Sequence, residues 1–153
     1  MLEKALNIGL KYIGFTDHFH IFTDPSIFKA LREIVEKSNF KNFRILIGSE
    51  IDVLNENGDI PISKRDVSIL DYTISGQHHY HLSFIKHPPS NSVEDILEYA
   101  FKEIVNTIRN PLIDGLGHPW LKIPGYIREK LNIDFKFEDI PSEYFYKTCE
   151  RIW

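Results

Sequence analysis

Apolar runs of strand length alternate along this chain with amphipathic stretches, and the alternation predicts strands and helices in turn. The predicted strands cover residues 12–18, 44–54, 72–80 and 112–119. The predicted helices cover residues 2–8, 25–37, 63–70, 93–108 and 142–153. Stop, turn and cap signals separate these elements, with Gly9 after the first helix, Asn57-Gly58 after the second strand and Ser92 before the longest helix. The segment between the fourth strand and the last helix contains Pro and Gly and is predicted to be a loop.

Near-continuous apolar strands that alternate with helices are typical of a parallel α/β sheet or barrel. We therefore predict an α/β fold with about four parallel strands, in one domain over residues 1–153. The pattern opens on a helix with no strand before it and closes inside a helix, and a closed barrel needs more strands than four. On this pattern we expect the middle of a larger domain, without its first and last strands.

Groups that bind metals or move protons follow the predicted strands. The first strand ends on His18, the third on His78 and His79, and the fourth on His118, while Glu50 lies within the second. In parallel α/β folds ligands gather at the carboxyl ends of the strands. Any one of these residues alone is more simply a polar strand end. Together, a carboxylate and two or three imidazoles suit a zinc, iron or manganese ion.

The tract "HHYH" at residues 78–81 has the composition of a short metal-binding segment. If the third strand continues through it, alternation sends His78 and Tyr80 to one side and His79 and His81 to the other. All three histidines then cannot bind one ion.

Composition and charge narrow the function classes. The net charge is −4, and Lys and Arg are spread along the chain without the basic block typical of a nucleic-acid or membrane surface. Cys149 is the single cysteine, which excludes an internal disulfide and favours the cytoplasm. No apolar run approaches the ~18 residues of a membrane span, and the N-terminus does not resemble a signal peptide. Glycine-rich nucleotide loops and the G-x-S-x-G elbow are absent.

Four blocks in order, "IGFTDHFH", "GSEIDVLNENGDI", "DYTISGQHH" and "IDGLGHPW", resemble successive motifs of the PHP family. This is the polymerase-and-histidinol-phosphatase superfamily of metal-dependent phosphoesterases, and the resemblance covers residues 1 to about 120. It implies a distorted seven-stranded β/α barrel with an often trinuclear metal site at the strand ends. It also implies hydrolysis of histidinol phosphate or other phosphoesters, or an editing or structural role beside a DNA polymerase.

Matched to the family's motifs, Glu50 is the bridging carboxylate, and Glu50, His78 and His118 form one complete ligand set. His18 matches a ligand of another metal. The family's H-x-H block and its D-x-H block have no counterpart here, so the other two metal positions keep few ligands and the activity of this chain itself stays open. His20 is a candidate substitute ligand, although a solvent-facing loop histidine is the simpler expectation.

The resemblance and the residues together predict a metal-dependent phosphoesterase that uses zinc, manganese or iron. His18, Glu50, His78 and His118 are its predicted catalytic and metal-binding residues, and a small phosphate monoester such as histidinol phosphate is its predicted substrate. The alternatives are a non-catalytic metal-binding or interaction module and a polymerase-associated nuclease or editing domain. Nucleic acid and membranes are not expected as partners, whereas self-association through open sheet edges is.

Overall fold

A computed structural model describes residues 2–38, 43–76, 79–89 and 91–152 of the chain, with side chains up to residue 150. Helices and strands alternate along nearly the whole length. In chain order they are α1 (Leu2–Asn7), β1 (Tyr12–Phe19), α2 (Ser26–Lys37), β2 (Arg44–Asp52), α3 (Lys64–Val67), β3 (Tyr72–Gly76), α4 (Val93–Ile108), β4 (Gly115–Leu116), α5 (Ile123–Leu131), a 3-10 turn (Phe137–Asp139) and α6 (Ser142–Ile152). Within the described ranges, no helix combines the length and apolar character that crossing a membrane requires.

The four strands form one parallel sheet in the order β1-β2-β3-β4. His18 of β1 lies opposite Glu50 of β2, and Glu50 lies opposite Ile74 of β3. The α/β fold class is confirmed, and the sheet is consistent with part of the barrel that the family resemblance implies. β1 and β4 are the edges of the described sheet, and self-association through such edges stays a prediction.

The two faces of the sheet differ in what covers them. On one face Ile47 and Ile51 of β2 are buried in a cluster with Phe28 of α2. On the other face the Tyr72 side chain lies across Gly48 of β2 and reaches Gly14 of β1, and a Cβ added at either glycine would clash with it. The position of this side chain therefore requires glycine at both residues.

α5 corrects the sequence prediction, which expected a loop at residues 123–131. Pro124 lies in the first turn of α5, where its missing N–H costs no hydrogen bond. Ile123, Tyr126 and Ile127 form a buried face in the largest core cluster, together with residues of α4 and α6. Burial of this face stabilises the helix by more than Pro and Gly destabilise it, whereas the prediction of a loop rested on Pro and Gly alone.

The third and fourth strands are shorter than the predicted spans of residues 72–80 and 112–119. β3 ends at Gly76, residues 77 and 78 lie outside the described ranges, and His79 already accepts a turn hydrogen bond from Leu82 N–H. β4 is two residues long, and the chain turns at His118 and Trp120, where φ is +21° and +71°. His118 thus follows the end of β4, and His79 lies in a turn.

A buried pair joins the loop after β3 to α4. The Tyr80 hydroxyl donates to Glu103 Oε2 at 2.5 Å, and Glu103 is 1% exposed. Glu103 Oε1 is buried without a hydrogen-bond partner among the described residues. Burial penalises the charged carboxylate more than the bond from Tyr80 favours it, and the pKa of Glu103 rises from 4.5 to about 8. The loop that carries His79 is therefore anchored to a carboxyl group that holds its proton at neutral pH.

This anchor predicts a pH dependence of stability. The folded state binds the Glu103 proton more tightly than the unfolded state, so the stabilisation is complete below pH 4.5 and is lost as pH rises through about 8. Relative to Glu103→Gln, the wild-type unfolding free energy should fall across this window by up to ~1.4 kcal/mol per pH unit. Urea unfolding at several pH values measures it, with Glu98→Gln, an exposed change on the same helix, as control. Parallel curves for wild type and Glu103→Gln would contradict the assignment.

Candidate metal centre

The carboxyl ends of the parallel strands bring acidic residues and histidines together. β2 contributes Glu50 and Asp52, which alternation places on the same side of the strand. β1 contributes His18, opposite Glu50 in the register, and His20 follows the end of β1. His79 follows β3 and His118 follows β4. The grouping depends on parallel strands in sequential order, which align all four carboxyl ends.

Glu50 lies between two imidazoles at distances that leave space for an ion. Its Oε1 is 3.3 Å from His118 Nε2, and its Oε2 is 3.8 Å from His18 Nδ1. Two donor atoms on one ion, each ~2.0–2.2 Å from the metal, lie roughly 2.8–3.6 Å apart. The Glu50–His118 separation falls within this range, and the Glu50–His18 separation lies just beyond it. The donor set of imidazole and carboxylate fits zinc, iron or manganese.

Asp52 contacts its two histidines at shorter distances. Its Oδ2 is 2.6 Å from His20 Nδ1, and its Oδ1 is 2.6 Å from His79 Nδ1. These are charge-assisted hydrogen-bond lengths, and they are shorter than the spacing of two ligands on one ion. An ionised Asp52 only accepts, so each Nδ1 donates and each neutral ring keeps its lone pair on Nε2. A carboxylate that orients a histidine in this way is a common partner of metal ligands.

His18 lies beside Glu50 and also beside the two histidines that are bonded to Asp52, so these residues form one cluster. One donor atom each from His18, Asp52 and His79 lie within 4.8 Å of one another. The His18 ring centroid is 5.6 Å from that of His20, in a stacked arrangement, and 4.9 Å from that of His79. Three imidazoles thus share one small region above two carboxylates. Imidazole nitrogens and carboxylate oxygens grouped in this way are the donor set that suits a divalent transition-metal ion.

Burial differs sharply within this region. The Asp52 side chain is 1% exposed, whereas the His18 side chain is 47% exposed. Burial lowers the pKa of His79 and outweighs the opposing effect of Asp52, so the His79 ring is neutral at neutral pH. The deep part of the region is a fixed hydrogen-bonded support, and the outer part is open to solvent.

The predicted site residues can now be located. His18, Glu50 and His118 lie together, and His78 falls outside the described residues. His20 is only partly the solvent-facing loop histidine that the sequence analysis expected, because its side chain is 37% exposed and bonded to Asp52.

Asp52 was not among the candidate residues, and His79 was noted at a strand end but left out of the predicted ligand set. The available signal for Asp52 was its position two residues after Glu50, on the same side of β2. His79 lies in a turn after β3, so the alternation of side chains along a strand does not decide which way it points.

The chain belongs to the PHP domain family, whose model matches residues 1–136. A relative from Clostridium acetobutylicum, named as a probable phosphatase, is 31% identical over 124 residues, which cover 76% of this chain and 44% of that protein. A probable phosphatase from Caldanaerobacter subterraneus subsp. tengcongensis is 32% identical over 124 residues, covering 76% and 43%. The chain thus spans less than half the length of these relatives.

Replacement of Asp52 tests its orienting role. In Asp52→Asn an NH₂ group, which donates, replaces one of the two oxygens, so only one of His20 and His79 keeps an acceptor in its place. Because the rings of His20 and His79 pack against His18, we expect loss of their fixed orientation to lower the affinity for Mn²⁺ or Zn²⁺ by ~10–100-fold, the usual effect of losing a group that supports a ligand. Calorimetry measures the affinity, and ¹⁵N spectra of the imidazoles report loss of the Nδ1–H form. Asp134→Asn, the same change at a 79% exposed carboxylate, is the control. Unchanged affinity and tautomers would exclude this role for Asp52.

Proposed function

We propose that this chain carries a metal-dependent phosphoesterase site that cleaves a small phosphate monoester. Glu50, His18 and His118 hold a divalent ion, with His78 as a further ligand from the family resemblance. The observation that carries the proposal is the placement of Glu50 between His18 and His118 at separations close to those of ligands on one ion. Membership of the PHP domain family and relatives named as probable phosphatases support it.

A zinc, manganese or iron ion, when bound, lowers the pKa of water toward ~7 and polarises a phosphoryl oxygen. The residues of this chain orient the groups of the site and hold protons at fixed atoms. Asp52 keeps the proton of His20 and of His79 on Nδ1, which leaves each Nε2 directed by a fixed hydrogen bond. The His18 side chain, 47% exposed, is accessible to a substrate phosphate. The Nε2 atoms of His20 and His79 each offer a lone pair, which can bind an ion or accept a proton.

Histidinol phosphate is the substrate we propose to test first, because the family resemblance includes its hydrolysis. The net charge of −4 makes a nucleic-acid backbone an unfavourable partner. Cys149 is exposed and has no cysteine partner in the chain, which supports a reducing compartment such as the cytoplasm.

Loss of the Glu50 charge tests the proposal. Glu50→Gln removes the negative charge of the carboxylate that lies between His18 and His118. We expect turnover of histidinol phosphate with added Mn²⁺ or Zn²⁺ to fall by at least ~10²-fold. Glu143→Gln, a matched change on α6 at a side chain that is 63% exposed, should leave turnover unaltered. The assay is release of inorganic phosphate, with metal content measured on the same samples. Equal turnover in wild type and Glu50→Gln would refute the site. A wild-type chain that binds metal without turnover would favour the non-catalytic module.

A further inference from the structure

A tight turn follows β1 beside the candidate metal centre. His20 N–H donates to Thr23 Oγ1 at 2.9 Å, and Thr23 N–H donates to the His20 carbonyl at 2.9 Å. The two bonds close a four-residue turn with Ile21 and Phe22 at its centre. The position of Phe22 is therefore fixed by the backbone of the residue that also contacts Asp52.

Phe22 has the largest exposed fraction among the described large apolar side chains, at 83%. Its ring centroid is 5.6 Å from that of Phe84, at an interplanar angle of 87°. The Phe84 centroid is in turn 6.4 Å from that of His20, at 61°. These are edge-to-face aromatic contacts of favourable geometry. Three rings thus lead from Asp52 outward to solvent, and the outermost one is almost uncovered.

Packing among the described residues leaves the Phe22 ring exposed. A buried phenylalanine side chain gains ~1.5–3 kcal/mol over an exposed one, and Phe22 forgoes most of this. Within the described ranges, the ring that contacts Phe22 is Phe84, which lies beside His20 and leaves Phe22 uncovered. Apolar surface held next to a polar site is typical of ligand pockets, in which apolar walls bind the body of a ligand and a few polar groups orient it.

We propose that Phe22 and Phe84 form an aromatic wall that binds a planar ring in the leaving group of the phosphate ester. This inference rests on the proposed function, since the phosphate must lie at the histidines for the ring to reach the wall. The Phe84 ring lies 6.4 Å from that of His20 and contacts Phe22, so a ring joined to the phosphate by a short alkyl linker reaches the wall beside Phe84. Aryl and imidazole rings share the required flat, polarisable face.

Binding of phosphonates, which are not hydrolysed, tests the wall apart from catalysis. The probes are methylphosphonate, 2-phenylethylphosphonate and 2-cyclohexylethylphosphonate, titrated calorimetrically into the chain with Mn²⁺ present. The phenyl and cyclohexyl probes have similar size and differ in planarity. Aromatic pairing contributes a ~2- to 10-fold preference beyond the area buried, so we expect wild type to prefer the phenyl probe by this factor.

Phe22→Ala should abolish the preference without altering methylphosphonate binding, and Phe22→Tyr should retain it. Tyr146→Ala, which removes a 70% exposed ring on α6, is the control and should keep the wild-type preference. Equal binding of the two larger probes to wild type, or a preference that persists in Phe22→Ala, overturns the wall and leaves the phosphate site standing. Failure of all three probes to bind overturns the wall and the proposed phosphate site together.

Discussion

The candidate site depends on one buried carboxylate with two hydrogen bonds. Asp52 is 1% exposed, and each of its oxygens accepts from an imidazole at 2.6 Å. A carboxylate loses several kcal/mol of solvation on removal from water, and the two hydrogen bonds compensate for part of this loss. His20 follows β1 and His79 follows β3, so Asp52 ties the loops on both sides of β2 to that strand. The turn that carries Phe22 begins at His20 and is therefore held by the same hydrogen bond to Asp52.

Glu50 and Asp52 are two residues apart on one strand, yet their surroundings assign them different chemistry. Glu50 faces its histidines at 3.3 and 3.8 Å, where an ion fits between the donor atoms. Asp52 is already within hydrogen-bond length of its histidines and leaves no such space. One carboxylate is suited to holding a metal, and the other to fixing the tautomers of the imidazoles around it.

Sequence reasoning reached the parts of this structure that follow from periodicity and motif order. The parallel α/β sheet follows from apolar runs that alternate with helices. His18, Glu50 and His118 lie near one another, as residues at the carboxyl ends of parallel strands should, whereas the predicted ligand set of Glu50, His78 and His118 stays a prediction. α5 was not predicted, because Pro124 and Gly125 weaken the local helix signal while tertiary burial of Ile123 and Ile127 stabilises it. The bonds of Asp52 depend on where β3 ends and how two loops fold back, and these are properties of the assembled chain.

The most direct test of this account is the structure of the protein with Mn²⁺ bound, with the ion located from its anomalous scattering. The account predicts an ion that contacts Glu50 and His118 at ~2.0–2.2 Å, while both Asp52 oxygens remain at hydrogen-bond distance from Nδ1 of His20 and of His79. An ion that binds Asp52 directly, together with His18 and His79 and away from Glu50, would contradict it.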